Sequence, residues 1–148
     1  MKYLKEAEEE ALTGINKKEG GPFGAVIVDK DGNIIAKAHN KVLINLDPTA
    51  HAEIMAIRLA CQKLKTKDLS GCTIYTTCEP CPMCLSAIIW SNIDKVYYSS
   101  TRKEAEKAGF KDKEIYDYLN GKVELLEIKR IEDKSCDNLL INYKGEKY

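Results

Sequence analysis

The order in which two hydrophobic periods follow one another constrains this chain most strongly. Residues 3–18 place Leu4, Ala7, Ala11, Leu12 and Ile15 on one helical face, with acidic residues on the other. Gly20-Gly21-Pro22 ends that helix, and Ala25 to Val28 reads as a buried strand. Asp31-Gly32 is a hairpin turn signal, with Ile34 to Ala38 as the returning strand. Residues 50–64 are apolar almost all round, which predicts a buried helix. Cys72 to Thr77 and Lys95 to Ser99 are β-branched and aromatic strands, and Pro82 suits the first turn of a helix running to Ser91. Helices are expected near 102–108 and 112–119, a last strand over Val123 to Ile128, and a last helix over 133–144. One hairpin followed by such alternation predicts an α/β fold. The expected form is a three-layer α/β/α sandwich around a five-stranded mixed sheet, its N-terminal hairpin antiparallel and its remaining strands parallel. Ligands in such sheets sit beyond the strands' carboxyl ends, where the next helices begin.

The 148 residues show no repeat, low-complexity tract or linker, so one domain over 1–148 is expected. A chain of this length buries about 70% of its unfolded surface and needs no staple to fold, leaving any metal site free for catalysis. Lysine plus arginine number 23 and aspartate plus glutamate 23, a balance with no built-in attraction for phosphate backbones. Nucleic acid is therefore a less expected partner than a small neutral molecule. The N-terminal MKYLKEAEEE lacks the apolar core of a signal peptide, and no segment approaches the roughly 20 apolar residues of a membrane span. The cytoplasm is the expected compartment. Thiols stay reduced there, so the six cysteines point toward metal or redox chemistry over disulfides.

His51-Ala52-Glu53 is followed by Pro80-Cys81-Pro82-Met83-Cys84, with 30 residues from His51 to Cys81. Two cysteines three apart share one side of a first helical turn, whose positive end favours thiolates. His51 completes three protein ligands for one zinc ion per chain, the set of a catalytic site whose fourth position stays open. Residues two apart on a regular helix point to nearly opposite sides, which makes Glu53 a poor co-ligand of His51 and a candidate proton carrier. Other readings stand beside this one. Cys78 has the same spacing to Cys81, which permits a structural Cys3His site, and a C-x-x-C pair permits redox chemistry. His39 reads as a structural residue at a strand end, and Cys61, Cys72 and Cys136 as small buried hydrophobes.

The H-x-E and P-C-x-x-C pair resembles the signature of zinc-dependent nucleobase deaminases. Further blocks, GGPFGAVIV at 20–28, DPTAHAEIMAIR at 47–58, CEPCPMCLSAIIW at 78–90, KAGFKDKEIY at 107–116 and the terminal KGEKY, are similar to the bacterial guanine deaminases of the cytidine deaminase-like superfamily. The resemblance implies hydrolysis of guanine to xanthine and ammonia, with Glu53 carrying protons and Asp112 as a second carrier near the purine edge. It implies that Asn40 hydrogen-bonds the base, that Phe23 lies near it, and that Tyr148 closes over it. It also implies a homodimer that exchanges the C-terminal segment, about 130–148. Two departures are visible: Lys111 stands where an acidic residue is expected beside Asp112, and residues 130–142 align poorly with the family. A tRNA adenosine deaminase shares DPTAHAEI and the cysteine pair. It carries Pro-Val-Gly-Ala where this chain has Gly21-Pro22-Phe23-Gly24-Ala25, and it must bind a polyanion. A guanosine or cytosine aminohydrolase of the same fold, or a non-catalytic zinc module, completes the alternatives.

Overall fold

The computed structural model describes all residues, Met1 to Tyr148. Helix α1 (Lys2–Asn16) leads into β1 (Gly24–Val28) and β2 (Ile34–His39), joined by the expected turn. The Asp29 carboxylate accepts the backbone N–H groups of Asp31 and Asn33, and Gly32 takes the left-handed conformation the turn requires. A short helix α2 (Val42–Asn45) precedes α3 (Ala52–Leu64); then follow β3 (Thr73–Cys78), α4 (Pro82–Trp90), β4 (Lys95–Ser100), α5 (Arg102–Lys107), α6 (Asp112–Leu119) and α7 (Lys134–Asn142).

The sheet has four strands in the order β2-β1-β3-β4, not five. Strand β1 is antiparallel to both neighbours, and only β3 and β4 run parallel. The hairpin forms one edge of the sheet, as expected, with β2 outermost and β1 joining it to β3 in the antiparallel sense. Side chains alternate across β1, so that Val26 and Val28 meet α1 while Ala25 and Ile27 meet α3. This is the expected three-layer arrangement, with α1 on one face and α3 and α4 on the other. Helix α1 lies very close to the sheet. A Cβ on Gly24 would sit 1.9 Å from the Ala7 carbonyl oxygen, so only glycine fits there.

Two helices are less buried than their sequences suggest. On α1, Ala7 and Ala11 are buried, whereas Leu12 and Ile15 are 51% and 43% exposed, because the contact stripe is the narrow alanine row. On α3, Ala52, Ala56 and Ala60 face the sheet, while Leu59 and Leu64 lie exposed on the outer face. Leu85, Ile89 and Trp90 of α4 are exposed as well.

The fifth strand is absent. Every residue from Leu119 to Tyr148 is exposed, and Val123 to Ile128 forms no ladder. A strand exists only where a neighbour satisfies its backbone, and this segment runs alongside none within its own chain. The expected last helix does form, as α7, but it has no buried residue. No helix is long and apolar enough to cross a membrane.

Candidate metal and substrate site

His51 and Cys81 are the N-cap residues of α3 and α4, and Pro82 occupies the first turn of α4. Two helix N-termini therefore converge at the carboxyl end of β3, where an α/β sheet is expected to bind ligands. The Cys81 Sγ accepts the Cys84 backbone N–H at 3.5 Å, doing the work of a capping side chain with sulfur in place of oxygen. His51 Nδ1 lies 3.6 Å from Cys81 Sγ and 3.5 Å from Cys84 Sγ.

These separations provide a direct test for zinc. Tetrahedral bonds of about 2.3 Å to sulfur and 2.0–2.1 Å to nitrogen place the two donor types about 3.6 Å apart. The observed N–S distances match, and all three donor atoms lie within 4.8 Å of one another. Protonation agrees with the geometry. The hydrogen bond with Cys84, together with the His51 ring, holds the Cys81 thiol down to about 4. The same bond, and then burial, push the Cys84 thiol upward, while the hydrogen bond to Cys81 raises His51. The residues thus contend for protons that a divalent cation would displace. The donor set fits zinc.

Cys78 is not part of this set. Its thiol donates to the Thr101 carbonyl at 3.8 Å, and burial pushes it up to about 11. A Cys3His site has no support here. Glu53, 7% exposed, shares one cavity with His51 and Cys81, and burial raises its carboxyl to about 7. It lies outside the ligand set, as expected, and within the same cavity as His51. His51 has extended backbone angles (φ −67, ψ 156), so helical spacing does not apply between the two.

The cavity measures about 400 Å³ and also takes in Phe23, Asn40, Phe110 and Asp112. Asn40, 5% exposed, has a fixed amide: its Oδ1 accepts the backbone N–H of Gly21 at 3.3 Å and of Val42 at 3.1 Å. Its Nδ2 remains as the donor. Asp112 opens α6 half-buried, its carboxyl raised chiefly by desolvation and next by the nearby Cys81. Phe110, which the sequence reading passed over inside the KAGF block, meets Phe23 edge-on at 4.7 Å and forms an aromatic wall. Gly20, expected as a helix stop within the GGPFGAVIV block and given no role at the site, also lines the cavity. His39 is structural as expected, with Nδ1 3.0 Å from Glu10 and Nε2 2.6 Å from Glu19. Tyr148 does not reach this cavity. It lies against Trp90 with ring centroids 6.0 Å apart, at the far end of α4, about 13 Å along the helix from Cys81.

The cytidine and deoxycytidylate deaminase zinc-binding region matches residues 1–100, which include all three metal donors and Glu53. The chain belongs to that family. The deaminase is 53% identical over 114 residues to the guanine deaminase of Bacillus subtilis (strain 168), covering 77% of this chain and 72% of that protein. It is 51% identical over 102 residues to the tRNA-specific adenosine deaminase of Aquifex aeolicus (strain VF5), covering 69% and 66%. Among solved structures, the guanine deaminase from Bacillus subtilis superposes with a TM-score of 0.86 at 41% identity, over 99% of this chain and 96% of that one. The protein NE0047, in complex with 2,6-diaminopurine, superposes with a TM-score of 0.71 at 34% identity, over 74% and 61%.

Proposed function

We propose that this deaminase hydrolyses guanine to xanthine and ammonia. The observation that carries the reading is the reach of the likeness to guanine deaminase. The family-wide region ends at residue 100, whereas the Bacillus subtilis guanine deaminase structure covers 99% of the chain. It therefore takes in the segment with Phe110 and Asp112, two residues that wall the cavity.

Zinc in this site supplies a water acidified toward a pKa of about 7 and polarises the reacting centre. The remaining work falls to side chains. Phe23 and Phe110 present an apolar edge to a flat ring, and the Asn40 Nδ2 donates to an acceptor on the purine. Glu53, held near 7 by burial, can both take and release a proton at neutral pH. It takes one from the attacking water and returns it to the ring nitrogen next to C2. The new C2–O bond forms, the bond from C2 to the exocyclic nitrogen breaks, and the second proton of the attacking water passes from the new C2 hydroxyl to the amine, which leaves as ammonia. Asp112, its carboxyl raised by burial at the cavity mouth, carries that proton to the leaving amine. Ammonia release is to be measured from guanine, guanosine, cytosine, adenine and a tRNA anticodon hairpin. Turnover of guanine is expected, and release only from cytosine or the hairpin refutes the assignment.

The functional unit in this reading is a homodimer in which the segment from about 130 to 148 crosses to the second copy. Leu139, Leu140 and Ile141 of α7 are exposed, and so are Ile89 and, beside Tyr148, Trp90 of α4. Tyr148 cannot serve its own cavity from beside Trp90, which leaves the cavity of a second copy as its place of action. Light scattering is expected to give a dimer. Subunits with Glu53→Gln, mixed with subunits lacking residues 144–148, are expected to regain activity by hybrid formation; no regain removes the exchange.

A further inference from the structure

Helix α6 is placed by very little. It has no fully buried residue and no side-chain cap, yet its first residue, Asp112, stands at the cavity beside the metal ligands. Beyond its packing against α4 and α5 and an exposed Lys113–Glu106 ion pair at 4.0 Å, two attachments hold it at the site. One is the Phe110–Phe23 contact just before the helix. The other begins at Tyr116, four residues after Asp112 and on the same helical face. The Tyr116 hydroxyl donates to the Pro80 carbonyl at 2.8 Å, and Pro80 immediately precedes Cys81. The Arg102 guanidinium carbon lies over the Tyr116 ring, 3.9 Å from its centroid. The same guanidinium donates through Nε and a terminal nitrogen to Glu79, whose other carboxylate oxygen accepts the Arg102 backbone N–H at 2.9 Å. Glu79 is in turn tied to β4 through its N–H on the Ser100 carbonyl at 2.8 Å. The contacts close a ring from Glu79 through Arg102 and Tyr116 to Pro80.

We propose that Arg102 is a positioning residue for deamination: by bridging Glu79 to Tyr116 it fixes α6 on the metal-ligand turn and holds Asp112 at the substrate. This rests on the reading of Asp112 as a proton carrier. Both functions of the guanidinium are needed, because two of its nitrogens meet the carboxylate while its carbon lies over the ring. Lysine supplies charge but neither geometry.

The holoenzyme is to be compared with Arg102→Ala, Arg102→Lys, Tyr116→Phe, Asp112→Asn and the Arg102→Ala/Asp112→Asn pair. The readouts are kcat and KM measured separately, zinc content and melting temperature. A displacement of about 1 Å at a proton carrier costs on the order of a hundredfold, so Arg102→Ala is expected to lose about tenfold to a hundredfold in kcat. KM should change less, and zinc should stay at one per chain. Arg102→Lys should behave like Arg102→Ala, and millimolar guanidinium should restore part of the kcat of Arg102→Ala. In the Asp112→Asn background the Arg102→Ala loss should vanish. An unchanged kcat in Arg102→Ala overturns the proposal, as does a loss that multiplies fully with Asp112→Asn or that follows zinc release. If Arg102→Ala does not fold, Tyr116→Phe decides: it keeps the ring and removes only the bond to Pro80, and an unchanged kcat overturns the clamp. An unchanged kcat in Asp112→Asn overturns the carrier reading itself. A crippled Asp112→Asn beside a normal Arg102→Ala overturns the clamp alone.

Discussion

Gly20→Ala adds one methyl group at a place where the backbone itself blocks it. A Cβ there would lie 2.2 Å from both the Asn40 carbonyl oxygen and its Oδ1, against 3.4 Å for an ordinary contact. The shortfall is about 1.2 Å, and Asn40 has little freedom to absorb it. Its N–H donates to the Phe23 carbonyl at 3.0 Å, and its Oδ1 holds the Gly21 and Val42 amides. The strain therefore moves the residue that we propose donates to the purine. A misplacement of about 1 Å is worth on the order of a hundredfold, or about 2.7 kcal/mol, in kcat/KM. Overpacking of this kind also costs about 1–3 kcal/mol of stability, or roughly 2–4 °C in Tm for each kcal/mol. The two effects must be separated. Ile74→Val, at a fully buried position in the first half of β3, should lose about 0.5–1.5 kcal/mol and keep its kcat/KM. The assay is initial-rate ammonia release from guanine, with melting curves on the same preparations. If Gly20→Ala retains kcat/KM within threefold of the wild type, the reasoning from close approach to substrate placement is wrong.

Glu53→Gln keeps the shape of the side chain and removes its proton chemistry. Turnover should fall by about 10²–10⁴-fold while metal analysis still finds one zinc per chain, and zinc loss would show that Glu53 serves the metal instead. Phe110→Ala removes half of the aromatic wall opposite Phe23. It should raise KM for guanine more than it lowers kcat, and an unchanged KM would place the base elsewhere in the cavity. The Arg102 hydrogen bonds hold the Glu79 carboxyl below its ordinary value of 4.5. Its contribution to stability is therefore complete above that pH and lost as pH falls through the depressed value. The Tm gap between the wild type and Glu79→Gln should be widest near neutrality and close below pH 4.5, and a gap that persists unchanged at pH 3 contradicts the assignment.

The metal donors could be read from the sequence because each lies within a few residues of a helix start, where local chemistry fixes direction. Pro82 starts α4, Cys81 caps it, and Cys84 returns one turn later on the same side. Glu53 lies outside the donor set, as expected, yet shares a cavity with His51, because an N-cap residue does not obey helical spacing. Asn40, Phe23 and Asp112 came from resemblance, and the cavity unites them. Phe110 and Gly20 matter through contacts with Phe23 and Asn40, and no periodicity encodes such encounters. The sheet illustrates the limit best. A two-residue turn signal pairs β1 with β2 but says nothing about what pairs with the other edge of β1, so the insertion of β1 beside β3 was invisible. Val123 to Ile128 poses the same question at the opposite edge. Its apolar residues call for a covering partner, and the segment is exposed along its whole length. Hydrophobic pattern reports that a face must be covered, but it carries no label for the chain that covers it.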